Sequence, residues 1–186
     1  MKRKITLIAA MALIVSLIGL GTLAFFTDSE EARNVITAGN IDIELYDLDE
    51  NEEPFPANGI GGVMPGDDVA KLVFVENTGD HPAFVRIRLT KAIEEAEGVE
   101  ADLNFDHITL NIDTANWTLV GDWYYYNNIL APGGFTTALF TEVSFGTALG
   151  NDYMNAVVTI DVEAQGVQSA NNGTTATAAA GWPATP

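Results

Sequence analysis

From residue 41 onward, apolar and polar residues alternate in short segments, and this period of two limits the chain to a β fold. In residues 41–45, Ile41, Ile43 and Leu45 share one face of a strand and two acidic residues share the other. Turn-forming residues separate such segments roughly every 8 to 12 residues, and no long segment has the period of a helix. The pattern predicts an all-β fold, an antiparallel sandwich.

Further strands are predicted where β-branched and aromatic residues cluster between turn residues. They cover residues 69–76, 83–89, 108–112, 117–120, 123–126, 136–145 and 157–164. Two strands follow a Pro-Gly pair, at Pro65-Gly66 and Pro132-Gly133, which suits a turn because Pro presets φ and Gly accepts positive φ. The repetition suggests two similar halves, as in a double Greek key. Residues 91–97 allow a short helix, and we interpret them as a crossover.

The first 24 residues predict an export signal. Basic residues at positions 2–4 precede an apolar run over residues 5–23. Small side chains, from Thr22 and Ala24, occupy the two positions that a signal peptidase probes, so we expect a signal peptide that is cleaved after Ala24. A permanent membrane anchor is the alternative, because the run is long enough to span a bilayer.

The composition is strongly acidic, with 26 Asp and Glu against 8 Lys and Arg and a formal net charge of −18. Such a chain would be repelled by nucleic acid and by anionic lipid, so we expect neither as a partner and expect membrane contact only through the signal peptide. The chain has no Cys. Its stability must therefore come from a hydrophobic core rather than from disulfides.

These features divide the chain into four parts. Residues 1–24 are the signal peptide, residues 25–40 an N-terminal segment, and residues 41–170 the β domain. Residues 171–186 are rich in Ala and Thr and are predicted to be a mobile or loosely docked tail.

Several short motifs occur in order over nearly the whole mature domain. They are FFTD at residues 25–28, TAGNIDI at 37–43, MPGD at 64–67, FVENTG at 74–79, LAPG at 130–133 and the closing strand at 159–165. Together they resemble the TasA/camelysin family of exported bacterial matrix and surface proteins, which has relatives among archaeal bundling pili. The resemblance implies a jelly-roll sandwich with short helical crossovers, a SipW-type signal peptide with a dedicated signal peptidase, and assembly into extracellular fibres of a biofilm matrix.

The resemblance also implies how the fibres form. In the family, the segment freed by signal cleavage inserts as an extra strand into the next subunit. On this sequence the donor would be about residues 25–35, with Phe25, Phe26, Val35 and Ile36 as anchors and Gly39 as the hinge. The alternative is that the segment folds back onto its own domain as an edge strand. Its centre, residues 28–31, is polar and breaks the period of two, so the pattern alone does not predict burial.

Some members of the family are classed as camelysin-type metallopeptidases. This chain has two histidines, His81 and His107, and neither lies in an HExxH motif. A catalytic zinc commonly takes three protein ligands, and the chain offers neither a Cys nucleophile nor a G-x-S-x-G elbow. We therefore predict a secreted structural subunit that binds copies of itself and other matrix proteins, without catalytic residues or a cofactor. A cell-surface metallopeptidase that depends on these histidines is one alternative, and a monomeric adhesion domain is another.

Ligand-type residues alternate at the start of residues 47–53, where Asp47, Asp49 and Asn51 are weak candidates for a calcium site. An EF-hand loop needs Gly at its sixth position and Glu at its twelfth, but this chain has Glu52 and Asn58 there. A solvated acidic loop is the better interpretation.

Overall fold

The computed structural model describes residues 34–38, 41–57, 62–95, 103–150, 153 and 156–184. Within these residues, nine strands form two sheets. The strands are β1 (Asn34–Ala38), β2 (Ile43–Leu48), β3 (Asp68–Asn77), β4 (Ala83–Glu94), β5 (Ile108–Leu110), β6 (Trp117–Val120), β7 (Trp123–Tyr126), β8 (Phe140–Phe145) and β9 (Val157–Gln168). One sheet has the order β1-β9-β4-β7-β6 and the other the order β2-β3-β8-β5. The predicted all-β class is confirmed.

The strand pairs are antiparallel with one exception. β1 runs parallel to β9, with Asn34 beside Glu163 and Ala38 beside Val167. The longest pairing is antiparallel and joins β4 to β9 over twelve residues, from Ala83 beside Gln168 to Glu94 beside Val157. β9 therefore lies between a long antiparallel neighbour and a short parallel one.

The core lies between the two sheets and follows the alternation of the strands. Val73 and Val75 of β3 face Val85 and Ile87 of β4 across it, and the side chains of all four are fully buried. Trp117 of β6 is also buried, and its ring lies 5.1 Å from the ring of Tyr126. Aromatic and β-branched side chains thus supply the apolar area that a domain without disulfides requires.

Gly166 of β9 marks a close approach of the two sheets. A Cβ atom at this position would lie 3.1 Å from the side chain of Ile41 and 3.2 Å from that of Ile43. The absence of a side chain on β9 therefore allows the start of the second sheet to pack directly against it.

Both Pro-Gly pairs form the turns predicted for them. Gly66 and Gly133 have positive φ values of 95° and 68°. The first turn is closed by the amide of Asp67, which donates to the carbonyl of Met64, and the second by Gly134, which donates to Ala131. These are the features of turns with Gly at the third position.

Two strand boundaries differ from the prediction. β4 continues to Glu94, so no helix begins at residue 91, because β9 offers it a partner as far as Val157. β8 begins only at Phe140. Before it, the amides of Thr136 and Leu139 donate to β3 with an irregular spacing, since the hydroxyl of Thr136 itself accepts from the amide of Val75.

The short helical crossovers implied by the resemblance are not seen in the described residues, where the longest helical segment is a 3-10 turn at Ala176–Ala178. No helix in that part of the chain has the length and apolar character needed to cross a bilayer.

The C-terminal segment packs against the outer face of the five-stranded sheet. Ala176 is buried against Phe84 and Val167, and Trp182 packs at the edge of the same cluster. The side chain of Asn172 closes the segment on itself, because its amide donates to the carbonyl of Ala180 and its oxygen accepts from the amide of Ala180. The sequence predicts a mobile or loosely docked tail, and in the structure this segment packs against the five-stranded sheet.

The close approach at Gly166 yields a stability prediction. Gly166→Val should lower the free energy of unfolding by about 1–3 kcal/mol, because the added methyl groups would push against Ile41 and Ile43. Urea denaturation followed by circular dichroism measures the change.

Gly150 provides the matched control. Among the residues that the structure describes, nothing lies within 4 Å of the position of a Cβ atom there. Gly150→Val should change the free energy of unfolding by no more than about 0.5 kcal/mol. Equal effects of the two substitutions would contradict the packing argument.

Candidate functional site at the β1–β9 edge

β1 is the first described element and forms the edge of the five-stranded sheet. It pairs with Glu163 to Val167, which is less than half of β9. A parallel pair of this length is one of the weaker contacts a sheet can make. The site is therefore an edge with a short, parallel strand at one end.

Gly79 contacts the backbone of the chain just before β2 begins. Its amide donates to the carbonyl of Asp42 at 3.0 Å, and a Cβ atom at this position would lie 2.9 Å from the amide nitrogen of Asp42. The fully buried Asn77 supports the turn, because its side-chain oxygen accepts from Gly79 and its amide donates to the carbonyls of His81 and Leu130. The motif Asn77-Thr78-Gly79 thus holds the backbone at Asp42, directly before β2.

A polar network lies on the outer face of β4 and β9, beside β1. The guanidinium of Arg86 donates to the side-chain oxygen of Gln165 through two nitrogens, at 3.0 and 2.6 Å. The amide of Gln165 donates to Glu163 at 2.9 Å, and Glu163 also binds Arg88. Gln165 and Glu163 are at the same time the register partners of Ile36 and Asn34 of β1. These side-chain contacts hold β9 to β4 on the outer face of the sheet, beside β1.

Aromatic rings enclose Arg86. Its guanidinium carbon lies 4.1 Å from the ring centre of Trp123 and 4.5 Å from that of Trp182, and one of its nitrogens donates to the hydroxyl of Tyr125. Arg86 is only 8% exposed. The planar cation is therefore stabilised by ring faces and neutral oxygens, and the C-terminal segment supplies one wall of this enclosure.

A second aromatic cluster lies on the outer face of the four-stranded sheet. The rings of Tyr46 and Phe74 stack at 4.9 Å, and Phe135 lies across both. The hydroxyl of Tyr46 donates to Glu76 at 2.8 Å and to Glu44 at 3.3 Å. The hydrogen bond to Glu76 and burial of the phenol, with the negative charge of Glu44, raise the pKa of Tyr46 to about 12.

The predicted donor residues fall on both sides of the described boundary. Val35 and Ile36 lie in β1 and pair with Ala164 and Gln165 of the same chain, which is the fold-back alternative for these two residues. Phe25, Phe26, the hinge Gly39 and the cleavage-site residues Thr22 and Ala24 lie outside the described residues.

The candidate calcium ligands do not face a common point. Both carboxylate oxygens of Asp47 accept from the ammonium of the buried Lys71, at 2.6 Å. Asp49 instead accepts from the backbone amides of Asn51 and Glu53, and the bond from Asn51 lowers the pKa of Asp49. The side-chain amide of Asn51 also lies against Asp49. These contacts build a turn rather than a set of ligands.

The two histidines lie at opposite ends of the four-stranded sheet. His81 follows the end of β3, whereas His107 precedes β5, which pairs with the end of β8 beside the start of β3. The ten residues of β3 separate the two ends by about 30 Å. Among the residues that the structure describes, no three His, Cys, Asp or Glu side chains are grouped so that they could hold a metal ion.

Sequence reasoning missed the enclosure of Arg86. The alternation on β4 correctly predicts that Arg86 and Arg88 face away from the core. It does not show that Trp123 and the distant Trp182 both lie over Arg86. The available signals were the two arginines of β4 and the run of four aromatic residues in β7. The sequence alone does not show that these two strands pair.

The fold is an all-β sandwich. Its first described strand, β1, lies at the edge of the five-stranded sheet and runs parallel to its neighbour β9. Residues 1–116 of the chain match the family described as camelysin metallo-endopeptidase. The chain belongs to this family, which confirms the resemblance to the TasA/camelysin group. A search of curated proteins finds no significant match.

The enclosure of Arg86 predicts a role for the C-terminal segment. Trp182→Ala should lower the free energy of unfolding by about 1–2 kcal/mol, because Arg86 and Tyr125 lose their aromatic neighbour. Leu119→Ala, at a position that is 54% exposed, should change it by no more than about 0.5 kcal/mol. Chemical denaturation of the three proteins measures the difference, and an effect of Trp182→Ala as small as that of Leu119→Ala would contradict the packing of the tail.

The raised pKa of Tyr46 predicts a loss of stability in alkali. An ordinary phenol titrates near pH 10 and the folded Tyr46 near pH 12, so the unfolded state loses its proton first. The contribution of Tyr46 is fully present below pH 10 and falls as the pH rises toward 12. Tyr46→Phe should remove this part of the pH dependence in urea titrations. The difference between the absorbance titrations of the two proteins at 295 nm should place the ionisation of Tyr46 near pH 12, and a difference centred near pH 10 would contradict the assignment.

Proposed function

We propose that this protein is a secreted structural subunit that polymerises into extracellular fibres of a biofilm matrix by donating its N-terminal strand to a neighbouring copy. The observation that carries the proposal is the parallel pairing of β1 with part of β9. It supports the proposal because β1 lies at the edge of the sheet, where a further strand can be contributed by another chain.

The residues paired with β1 show why this edge requires a partner. Ala164 and Gln165 are fully buried, and Val167 is 2% exposed. Without β1, the backbone groups on this side of β9 would face an apolar environment or water with no strand to bind. A subunit whose edge depends on a short N-terminal strand is suited to strand exchange between copies.

The pairing of β1 within the chain argues for a donor shorter than residues 25–35. Since residues 34–38 pair within the chain, the proposed donor comprises residues 25–32, with Phe25 and Phe26 as its apolar anchors. Val35 and Ile36 then hold the arm to its own domain, and Gly39 lies beyond them in the connection to β2. The segment becomes available when the signal peptidase cleaves after Ala24.

Membership of the camelysin family supports the export and the extracellular location in this proposal. The strand orders support a jelly-roll arrangement, since β1-β9-β4-β7 and β3-β8-β5 interleave early and late strands in the two sheets. The partners would be further copies of the chain, the signal peptidase during export, and other matrix proteins. The acidic surface argues against nucleic acid as a partner.

The family description also names a metallo-endopeptidase activity. The distance between His81 and His107 along the sheet argues against a zinc site that uses both of them. A structural role without catalysis therefore accounts better for the residues that are described. Metal-dependent proteolysis that is lost in His81→Ala or His107→Ala would favour the peptidase instead.

Two versions of the mature chain test the proposed function. One begins at Phe25 and the other at Arg33, which keeps the whole compact unit Arg33–Pro186. The longer chain should form filaments visible by electron microscopy, and the shorter chain should elute as a monomer in size-exclusion chromatography, because it lacks the donor.

Circular dichroism of both chains is the control for folding. Similar melting curves would show that the shorter chain fails to polymerise for lack of residues 25–32 rather than for lack of structure. Filaments of equal abundance from both chains, or none from the longer chain, would show that the strand-donation proposal is wrong.

A further inference from the structure

Lys71 and Asp47 meet on the inner side of the four-stranded sheet. Lys71 occupies a core-facing position of β3, two residues before Val73, and only 2% of it is exposed. Asp47 lies on the neighbouring strand β2, where its register partner is Val73. The two residues are therefore diagonal neighbours on one face of an antiparallel pair. An amine and a carboxyl group lie side by side where the alternation of the strands places apolar side chains.

The contact between these two side chains is close. Nζ of Lys71 lies 2.6 Å from both carboxylate oxygens of Asp47, whereas a charged N–H···O bond usually measures about 2.7–2.9 Å. The equal distances place Nζ within about 3 Å of the carboxyl carbon, Cγ, and reacting atoms in a near-attack geometry are roughly 3–3.5 Å apart. The nitrogen is thus within reach of an electrophilic carbon.

The surroundings of the pair are mainly apolar. The ring of Phe55 covers Nζ at 3.8 Å from the ring centre, and the side chain of Asp47 is 23% exposed. The cavity beside Lys71 is lined by further apolar residues of the described chain, namely Val69, Val143, Phe145, Val158 and Ile160. Because burial in such surroundings penalises charge, the uncharged pair that one proton transfer creates is more accessible here than in water.

The acidic loop after β2 positions the ring that covers the pair. Asp49 organises its turn by accepting from two backbone amides. The amide of Phe55 then donates to the carbonyl of Asp47 at 2.8 Å, so the loop folds back over the end of β2. The acidic pattern that suggested calcium ligands thus builds the turn that places Phe55 over Lys71.

We propose that Lys71 and Asp47 condense to an intramolecular isopeptide bond that joins β3 to β2. One carboxylate oxygen takes a proton from the ammonium, which leaves a neutral amine and a neutral carboxylic acid. Nζ then attacks Cγ, a second proton passes from the nitrogen to the protonated oxygen, and the Cγ–O bond breaks as water leaves. The products are one secondary amide and one water, so the step needs no oxidant, cofactor or further reactant.

The adjoining cavity has room for the water that is released. Its volume is about 20 Å³, and a cavity needs at least about 10–15 Å³ to hold one water molecule. Condensation also removes both charges from a site that hydrates them poorly, which favours the amide over the ion pair.

The bond would give the domain a covalent support that its composition otherwise lacks. The chain has no Cys and so no disulfide. A bond between residues 47 and 71 closes a loop and restricts the unfolded chain as a disulfide does, but it is insensitive to reducing agents. This assignment goes beyond the proposed function and does not depend on it, because a subunit that stays monomeric would be stabilised in the same way.

Mass spectrometry of the mature chain beginning at Phe25, denatured before measurement, tests the bond. The intact mass should be lower than the mass of the sequence by one water molecule. Trypsin does not cleave after a lysine whose amine is acylated, so the digest should contain one peptide of residues 34–86, also lighter by one water, in place of peptides 34–71 and 72–86. Further cleavage at the glutamates of residues 50–53 should leave the fragments that carry Asp47 and Lys71 joined.

Two lysine substitutions form a matched pair of controls. In Lys71→Arg the guanidinium keeps the positive charge beside Asp47 but is too weak a nucleophile to condense, so this variant should have the full mass of its sequence. Lys91→Arg, at an exposed position of β4, should still lack one water. Circular dichroism shows whether both variants are folded.

The outcomes decide the proposal directly. A folded, unsubstituted protein with the full mass of its sequence would overturn it and leave Lys71 and Asp47 as a buried ion pair. A missing water that maps to other residues would overturn it as well. The mass of the unsubstituted protein decides the question even if Lys71→Arg does not fold. The measurement gives the same answer with or without filaments, so the proposed function stands or fails separately.

Discussion

The long antiparallel pairing of β4 with β9 is the interaction on which the other features depend. Its inner face places Val85, Ile87 and Ala164 in the core, and its outer face places Arg86 beside Gln165. On its far side β9 carries β1 from Glu163 to Val167. The same two strands therefore define the core, the enclosure of the buried cation and the edge at which assembly is proposed. Twelve paired residues make this the longest strand pairing among the described residues.

Much of the fold could be predicted from the sequence because its signals are local. The period of two gives the inward residues of β2, β4 and β9, and Pro65-Gly66 and Pro132-Gly133 give two turns. The boundaries that were missed depend on a distant partner. β4 extends to Glu94 because β9 lies beside it, and the tail packs because Ala176 and Trp182 contact Phe84 and Arg86 of β4. No pattern within residues 91–97 or 171–186 contains that information.

The candidate site shows the same division. The motif at residues 74–79 could be recognised from the sequence. The structure gives Asn77 and Gly79 of this motif a physical role, which is to hold Asp42. One apolar groove could not be predicted, because its walls come from three strands and a loop that are far apart in sequence. It is lined by Phe55, Val69, Lys71, Val143, Phe145, Val158 and Ile160. The acidic residues 47–53 illustrate the opposite case, in which a local pattern suggests ligands but Asp47 binds a lysine from the next strand. Charge spacing along a loop says little about where the carboxylates finally point.

The parallel pairing of β1 has a consequence for the order of folding. An antiparallel neighbour can form as a hairpin, but β1 and β9 stand near opposite ends of the domain, and their pairing must wait until the chain between them is in place. Because the closure of so long a loop costs entropy that only a few backbone bonds offset, β1 should be among the last elements to dock. During synthesis β1 is made well before β9. For that interval β1 has no partner strand within its own chain.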